Sequence, residues 1–251
     1  KKIYDVVSMI PGFLLRAIMP LASELEASDK MEMNQRLFIK ATKYSFAIFI
    51  PIATFTILNA KPILTAWVGE KYAPFSLGLQ ILVAHLFFNF NHHAGSQILI
   101  GINKIRFILL YYLKVVILNL VLSVILVRWI GWLGVVLGTT IPFVIFEFSY
   151  IRFLLHTLNI NWRYYVRNVI LKTFPPIVII VPLILVIGNF VNLNNLPVLA
   201  IFGVIIVLVY FTLFYLMGLD HNERITINNC VYLVRQKLNL KLIVGGGTKR
   251  R

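Results

Sequence analysis

The sequence predicts an all-α, polytopic membrane protein, a bundle of about seven transmembrane helices. Hydrophobic residues make up 59% of the chain and charged residues 13%, whereas about a quarter of the residues in a typical soluble domain are charged. The apolar residues also fall in blocks of the length, about 20 residues, that a helix needs to cross a bilayer. Backbone groups in lipid must bond within the chain, so such blocks fold as helices.

The predicted spans follow from these apolar blocks, and polar segments separate them: 3–23, 42–60, 76–100, 107–127, 132–155, 173–191 and 197–218. Residues 24–43 carry charges of both signs, with apolar residues near helical spacing, which predicts an amphipathic surface helix. Aromatic and basic residues alternate over 159–172, which indicates a second interfacial helix. The chain turns polar again from Asp220, where we predict a C-terminal tail.

The basic residues predict the orientation. Most of the 24 Lys and Arg residues lie in 24–43, 104–106, 156–172 and the tail. Alternating spans place these four segments on one side, and basic loops stay in the cytoplasm. We therefore expect a multi-pass protein of the cytoplasmic (inner) membrane with a cytoplasmic C-terminus. The net charge of +15 is explained by topology, and no nucleic acid is expected as a partner because no basic run is interleaved with base-stacking aromatics.

Several short segments carry a family resemblance by their order and spacing. They are Ile3-Tyr4-Asp5 with 9–12 (MIPG), 18–25 (IMPLASEL), 36–44, 62–64 with 67–74 (WVGEKYAP), 118–123 (LNLVLS) and 131–139 (GWLGVVLGT). Together they make residues 3–155 resemble the polysaccharide-flippase branch of the multidrug/oligosaccharidyl-lipid/polysaccharide exporter superfamily.

The resemblance implies a fold of two six-helix lobes around a central cavity. Residues 1–156 would be helices 8–12 of the second lobe without its first helix, 157–219 an interfacial helix plus two extra C-terminal spans, and 220–251 a cytoplasmic polar tail. The missing N-terminal lobe of the same protein is then a partner, consistent with a chain that opens at Lys1 without an initiator Met.

The family's activity is alternating access by rocking of the two lobes. Its substrate is a polyprenyl-pyrophosphate-linked oligosaccharide, flipped for cell-surface polysaccharide synthesis, with membrane lipids as the surroundings. The alternative within the superfamily is a cation-coupled small-molecule (multidrug) antiporter, which needs cavity carboxylates. Only Asp5 and Glu147 lie within predicted spans.

Ionisable residues inside spans are functional candidates because burying a charge in lipid is unfavourable. We predict substrate binding by Asp5, Arg16, Lys114 and Glu147. The last three lie about 12 Å inside the predicted inner boundary, at a rise of about 1.5 Å per residue. Lys114 and Glu147 occupy successive antiparallel spans, so the geometry allows an ion pair between them. The alternative is that Arg16 and Lys114 extend to the interface as lipid-facing cations.

The lipid II flippases of the superfamily have an Asp-Arg pair just before the Pro of the first helix. Asp5 matches that Asp by its spacing to Pro11, but the next residue is Val6. This departure favours a sugar-carrier branch over the peptidoglycan branch.

Polar residues recur at helical spacing in the third predicted span. His85, Asn89 and His92 are candidates for cavity lining or proton coupling, and the alternative is interhelical hydrogen bonding. No metal site and no cofactor are expected, because the two histidines lack nearby carboxylate or thiolate ligands and Cys230 is the single cysteine. Gly134 and Gly138 predict close helix packing.

An enzyme is not expected. The sequence has no P-loop and no G-x-S-x-G motif. A membrane-embedded glycosyltransferase would need carboxylates in the outer loops, where only Glu70 lies. A partner subunit without transport activity is a third possibility, although it would leave the ionisable residues within the spans without a purpose.

Overall fold

The computed structural model describes residues 18–28, 30–191, 193, 195–226 and 228–229, and these residues form helices and no strands. The helices up to Thr157 are α1 (Ile18–Ala27), α2 (Met31–Leu58), α3 (Ala60–Val68), a 3₁₀ helix (Glu70–Phe75), α4 (Ser76–Ala84), α5 (Leu86–Gly101), α6 (Ile105–Ile130) and α7 (Trp132–Thr157). They are followed by α8 (Trp162–Tyr165), a π-helical segment (Val166–Ile170), α9 (Leu171–Thr173), α10 (Pro175–Phe190) and α11 (Leu196–Met217).

Among the described residues, five helical stretches are long and apolar enough to cross a bilayer: Met31–Leu58, Ile105–Ile130, Trp132–Thr157, Trp162–Phe190 and Leu196–Met217. A sixth is obtained if Glu70–Ala84 and Leu86–Gly101, bent by 41° relative to each other, are one span. The predicted all-α polytopic bundle is thus confirmed. The predicted first span, 3–23, lies mostly outside the described residues.

Helix α2 is the centre of the bundle. It packs against α1, α4, α5, α10 and α11, and it alternates buried Phe, Ile and Ala with buried Asn, Thr and Lys. The amphipathic surface helix predicted over 24–43 is not a separate element, because α2 runs unbroken from Met31 into the predicted span. No Gly or Pro interrupts this stretch before Pro51, so the helix has no reason to end at the membrane surface.

Helices α6 and α7 form a tight hairpin. They are joined at Gly131, whose φ of +61° suits glycine. Gly138 of α7 faces the backbone of α6 so closely that a Cβ there would lie 2.6 Å from the Ser123 amide nitrogen, and Gly134 likewise faces Leu126 and Val127. The close packing predicted for these two glycines is confirmed. Outside this contact, α6 is mostly exposed, as a lipid-facing helix is.

Three segments were predicted, from their basic residues, to lie on one side of the membrane. In the structure they meet at one end of the bundle. The Gln35 side chain of α2 lies 3.5 Å from the Asn159 carbonyl. Lys43 of α2 binds Glu223, and Lys172 of α9 binds Asp220. The interfacial segment predicted at 159–172 continues into α10, so that Trp162–Phe190 counts as one apolar stretch.

Candidate functional site

The clearest candidate site is a group of buried polar side chains between α5, α6, α7 and α8, here called the interior cluster: Asn91, His92, Tyr111, Glu147 and Tyr165. At its centre His92 Nε2 lies 2.7 Å from Glu147 Oε2. The same nitrogen lies 2.8 Å from the Tyr111 hydroxyl. Both side chains of the His92–Glu147 pair are more than nine-tenths buried, so this acid–base pair is enclosed within the bundle.

The second oxygen of Glu147 is held from the other side. Asn91 Nδ2 lies 3.4 Å from Glu147 Oε1, and the Tyr165 hydroxyl donates to Asn91 Oδ1 at 2.5 Å. Tyr165 belongs to α8, the segment predicted to be interfacial, yet its side chain is fully enclosed and stacks on Phe38 of α2. The cluster therefore links α5 and α7 to the C-terminal half of the chain.

Packing fixes the orientation of the histidine ring. The His92 ring lies 3.8 Å from the Tyr150 ring of α7 and 4.7 Å from the Tyr111 ring of α6, measured between centroids. Tyr150 shares a hydrogen bond with Ser96 one turn further along α5, at 3.1 Å. Gly95 allows this approach, because a Cβ there would meet the Tyr150 hydroxyl at 2.8 Å.

A cavity of about 240 Å³ opens beside His92. Aromatic and polar side chains of α2, α5, α6 and α7, with His85 at the bend between α4 and α5, line it: Ser45, Phe49, His85, Leu86, Asn89, Phe90, His92, His93, Tyr112 and Phe143. Ser45 Oγ, Asn89 Oδ1 and His92 Nδ1 are buried here without a hydrogen-bond partner in the described structure. The predicted residues His85, Asn89 and His92 thus share one cavity wall.

The predicted substrate-binding residues are not brought together. Asp5 and Arg16 lie outside the described residues. Lys114 is exposed on α6, and within the described part of the chain no ion pair joins it to Glu147. The base that Glu147 contacts is His92, which the sequence predicted for cavity lining or proton coupling and not as a partner of Glu147.

A second group of charged residues, here called the terminal cluster, lies at the end of the bundle where the C-terminal segment docks: Lys43, Tyr44, Lys172, Asp220 and Glu223. Lys43 Nζ lies 2.6 Å from Glu223 Oε2, with only 2% of the Lys43 side chain and 11% of the Glu223 side chain exposed. The Tyr44 hydroxyl donates to Glu223 Oε1 at 3.1 Å, and Lys172 Nζ lies 2.5 Å from Asp220 Oδ2.

Both carboxylates of the terminal cluster are held ionised. Burial raises the pKa of Glu223, but the hydrogen bonds from Lys43 and from the Asp220 amide, with the Lys43 charge, outweigh it and leave the pKa below its ordinary value. The hydrogen bond from Lys172 likewise lowers the pKa of Asp220.

The sequence analysis missed the terminal cluster, although a signal for its helix is present. Asp220 and Glu223 have the spacing of a capping box, in which an acidic residue at the third helical position reaches back to the capping amide. Glu223 does this, accepting from the Asp220 amide at 2.9 Å, ahead of the helical residues 221–226. The same Glu223 carboxylate also contacts Lys43, 180 residues away. No local sequence pattern predicts such a tertiary contact.

No group of three metal-ligating side chains occurs among the described residues. Comparison with known proteins yields no matching family model, no matching curated protein and no matching solved structure. The flippase resemblance of residues 3–155 therefore stays a prediction, and the chain is described by its architecture as a helical bundle of multi-pass membrane type.

Proposed function

We propose that the chain is the second half of a transporter that flips polyprenyl-pyrophosphate-linked oligosaccharides across the cytoplasmic membrane by alternating access. The observation that carries the proposal is the His92–Glu147 pair, an acid and a base buried together inside a bundle of apolar helices. Ionisable groups at such positions characterise substrate and ion pathways, because a purely structural helix bundle gains little from them. The segment resemblance supplies the substrate class.

The architecture is compatible with rocking. Pro51, Pro142 and Pro182 lie inside α2, α7 and α10, and α4 and α5 meet at a bend of 41°. Such interruptions are typical of transporter helices, where neighbouring groups satisfy the freed backbone carbonyls. The partner that completes the cavity would be the first lobe of the same protein.

A second candidate function, cation-coupled small-molecule antiport, is favoured by one observation. Glu147 is a buried carboxylate whose close cationic partner among the described residues is a histidine, which can be neutral. A carboxylate that is not permanently neutralised can accept a cation, whereas a phosphate site needs cations of its own. Lys114, the basic residue of α6 predicted to bind the substrate, is exposed.

The test is complementation. The full-length parent protein is expressed in a bacterium deleted for its own polysaccharide-unit flippase, and surface polymer and lipid-linked precursor are both measured. Restored polymer with falling precursor supports flipping. Unchanged polymer and precursor at normal membrane expression, together with new resistance to cationic dyes, would replace the proposal by the antiporter.

Variants then test the residues. We expect Arg16→Ala, Lys114→Ala and Glu147→Gln to reduce flipping at normal expression, by about tenfold or more where a charge-assisted contact to the substrate is lost. Glu70→Gln is the matched control for Glu147→Gln, because Glu70 is exposed at the first residue of the 3₁₀ helix. Normal flipping by all three variants would remove these residues from the substrate site.

A further inference from the structure

A long apolar groove runs along α7, on the side where the segment 162–174 packs. Two cavities of about 490 and 520 Å³ form this groove, and they are continuous because Phe148, Ile151 and Trp162 line both. We call it the α7 groove. The apolar α7 residues that line it follow one face of the helix: Val144, Phe148, Ile151 and Leu155.

The α7 groove has the length of one leaflet of a bilayer. Val144 and His156, the first and last α7 residues that line it, are separated by about 18 Å at a rise of about 1.5 Å per residue. The hydrocarbon core of a bilayer is about 30 Å thick, so one leaflet is about 15 Å. An acyl chain of a phospholipid fits this length, whereas a polyprenyl chain is much longer and would extend beyond the groove.

One end of the α7 groove is basic. Arg152 and His156, one helical turn apart, line it there and are exposed. In the described structure no carboxylate oxygen lies within 4.0 Å of either side chain. Among the described lining residues, Glu147 is the one carboxylate, and it is buried towards the other end.

The charge of the surrounding sequence has the same sign. Residues 148–174 contain no Asp or Glu, and they contain four Lys and Arg residues: Arg152, Arg163, Arg167 and Lys172. Basic clusters at the membrane surface beside transmembrane helices attract anionic lipid headgroups. The ligand that complements this end of the groove is therefore an anion.

Trp162 indicates where the membrane surface lies. Its side chain is half-exposed at the basic end of the groove, and tryptophan is enriched at the level of lipid headgroups. Helix α7 ends nearby at Thr157, at the end of the bundle where Gln35 contacts Asn159. The basic end is thus at headgroup level, and the apolar wall extends from it towards the middle of the bundle.

We propose that the α7 groove binds one anionic phospholipid of the surrounding membrane. An acyl chain lies along Val144, Phe148 and Ile151, and the phosphate contacts Arg152 and His156. A guanidinium group suits this role because it can donate to two phosphate oxygens at once. The inference goes beyond the proposed transport function and does not depend on it.

The test measures contact between lipid and Trp162 in the full-length parent protein. The protein is reconstituted in phosphatidylcholine vesicles with increasing fractions of phosphatidylglycerol whose acyl chains are brominated. Bromine quenches tryptophan fluorescence on contact, and the difference between the unchanged protein and Trp162→Phe isolates the signal of Trp162. We expect phosphatidylglycerol to bind about fivefold or more tightly than brominated phosphatidylcholine, the gain from about one basic contact at the membrane surface.

Removing the positive charge is the decisive comparison. Arg152→Gln should reduce the preference for phosphatidylglycerol to about twofold or less. Arg128→Gln is the matched control, because Arg128 is exposed in the last turn of α6, at the opposite end of the α6–α7 hairpin, and it should keep the preference. Equal binding of both lipids by the unchanged protein, a preference that survives in Arg152→Gln, or an equal loss in Arg128→Gln would overturn the proposal.

Competitors then identify the occupant. Phosphatidylglycerol without bromine should restore the Trp162 fluorescence, whereas inorganic phosphate should not, because it has no chain for the apolar wall. Polyprenyl phosphate at the same mole fraction should restore no more than phosphatidylglycerol does. Restoration by inorganic phosphate would replace the lipid by a free anion, and stronger restoration by polyprenyl phosphate would replace it by the carrier of the proposed substrate. Failure of the complementation test would leave all of these signals unchanged.

Discussion

The interior cluster and the terminal cluster are built alike and differ in their base. Each joins a largely buried glutamate to a buried base, with N–O distances of 2.7 Å for His92–Glu147 and 2.6 Å for Lys43–Glu223. Each also has a tyrosine hydroxyl beside the pair, Tyr111 or Tyr44. The side chain of lysine is a simple cation, whereas the imidazole ring of histidine has both a neutral and a charged form near neutral pH. The two clusters therefore differ in the kind of base that contacts the glutamate.

The interior cluster and the terminal cluster also differ in how completely their polar atoms are hydrogen-bonded. Both oxygens of Glu223 have donors, from Lys43, Tyr44 and the Asp220 amide. In the interior cluster, Glu147 Oε2 and His92 Nδ1 have no hydrogen-bond partner in the described structure. A fully satisfied buried network stabilises one arrangement, whereas a buried polar atom without a partner is unfavourable.

The largest expected effect comes from breaking the Lys43–Glu223 pair. Glu223→Gln leaves the Lys43 ammonium buried without a counter-charge, and removal of one partner of a buried ion pair destabilises proteins by about 3–5 kcal/mol. The free energy of unfolding of the detergent-solubilised protein at about pH 7 measures this loss. The double variant Lys43→Met with Glu223→Gln should recover most of it, because the unpaired charge is gone.

The surface pair Glu32–Arg36 is the control for that measurement. These side chains are 86% and 72% exposed and their charged atoms lie 3.8 Å apart, so Glu32→Gln should change the free energy of unfolding by no more than about 0.5 kcal/mol. If Glu223→Gln lowers the free energy of unfolding by less than about 1 kcal/mol, the Lys43–Glu223 pair does not hold the C-terminal segment in place.

The next effect sharpens the comparison, because the same substitution in the interior cluster should be milder. In Glu147→Gln the histidine can remain neutral, so no uncompensated charge is buried, and the loss reduces to imperfect hydrogen bonding, about 1–3 kcal/mol. The same unfolding measurement at about pH 7 compares the two variants. A loss in Glu147→Gln equal to that in Glu223→Gln would mean that His92 is permanently charged and that the two clusters are of one kind.

Sequence patterns anticipated the interior cluster better than the terminal one. Apolar blocks of the right length predicted the spans, and costly polar residues within them identified His92 and Glu147 individually. Their pairing was not predicted, since it depends on the bend at His85 and on how α5 is rotated against α7. Lys114 was paired with Glu147 because the two residues lie at equal predicted depth, but Lys114 is exposed. Depth along a helix does not determine the direction in which a side chain faces around the helix axis.

A smaller effect concerns the tyrosines beside each pair. Tyr165→Phe removes the donor to Asn91, leaving that buried amide oxygen unpaired. Interhelical hydrogen bonds in membrane proteins contribute about 0.6 kcal/mol on average and at most about 1.7 kcal/mol, and we expect a loss in the upper part of that range. Tyr44→Phe is the matched change in the terminal cluster, where Glu223 keeps two other donors, and should lose less. Thermal unfolding of both variants tests this order, which a larger loss in Tyr44→Phe would reverse.

The smallest expected effect is a change in the unfolding free energy that appears only at acidic pH, and it concerns the Lys43–Glu223 pair of the terminal cluster. The pKa of Glu223 in the folded protein lies below its ordinary value because its hydrogen bonds to Lys43 and the Asp220 amide outweigh burial. Its contribution to stability is therefore complete above the ordinary carboxyl pKa, near 4.3 to about 4.5, and is lost as the pH falls through the lower folded value. Below that pH, Glu223 in the unchanged protein is itself protonated, so the difference in unfolding free energy between it and Glu223→Gln should narrow. The measurement is this difference in unfolding free energy between about pH 7 and pH 3. A difference that stays constant would mean that the Lys43–Glu223 contact does not depend on the carboxylate charge. The docking of the C-terminal segment would then have to be attributed to packing alone.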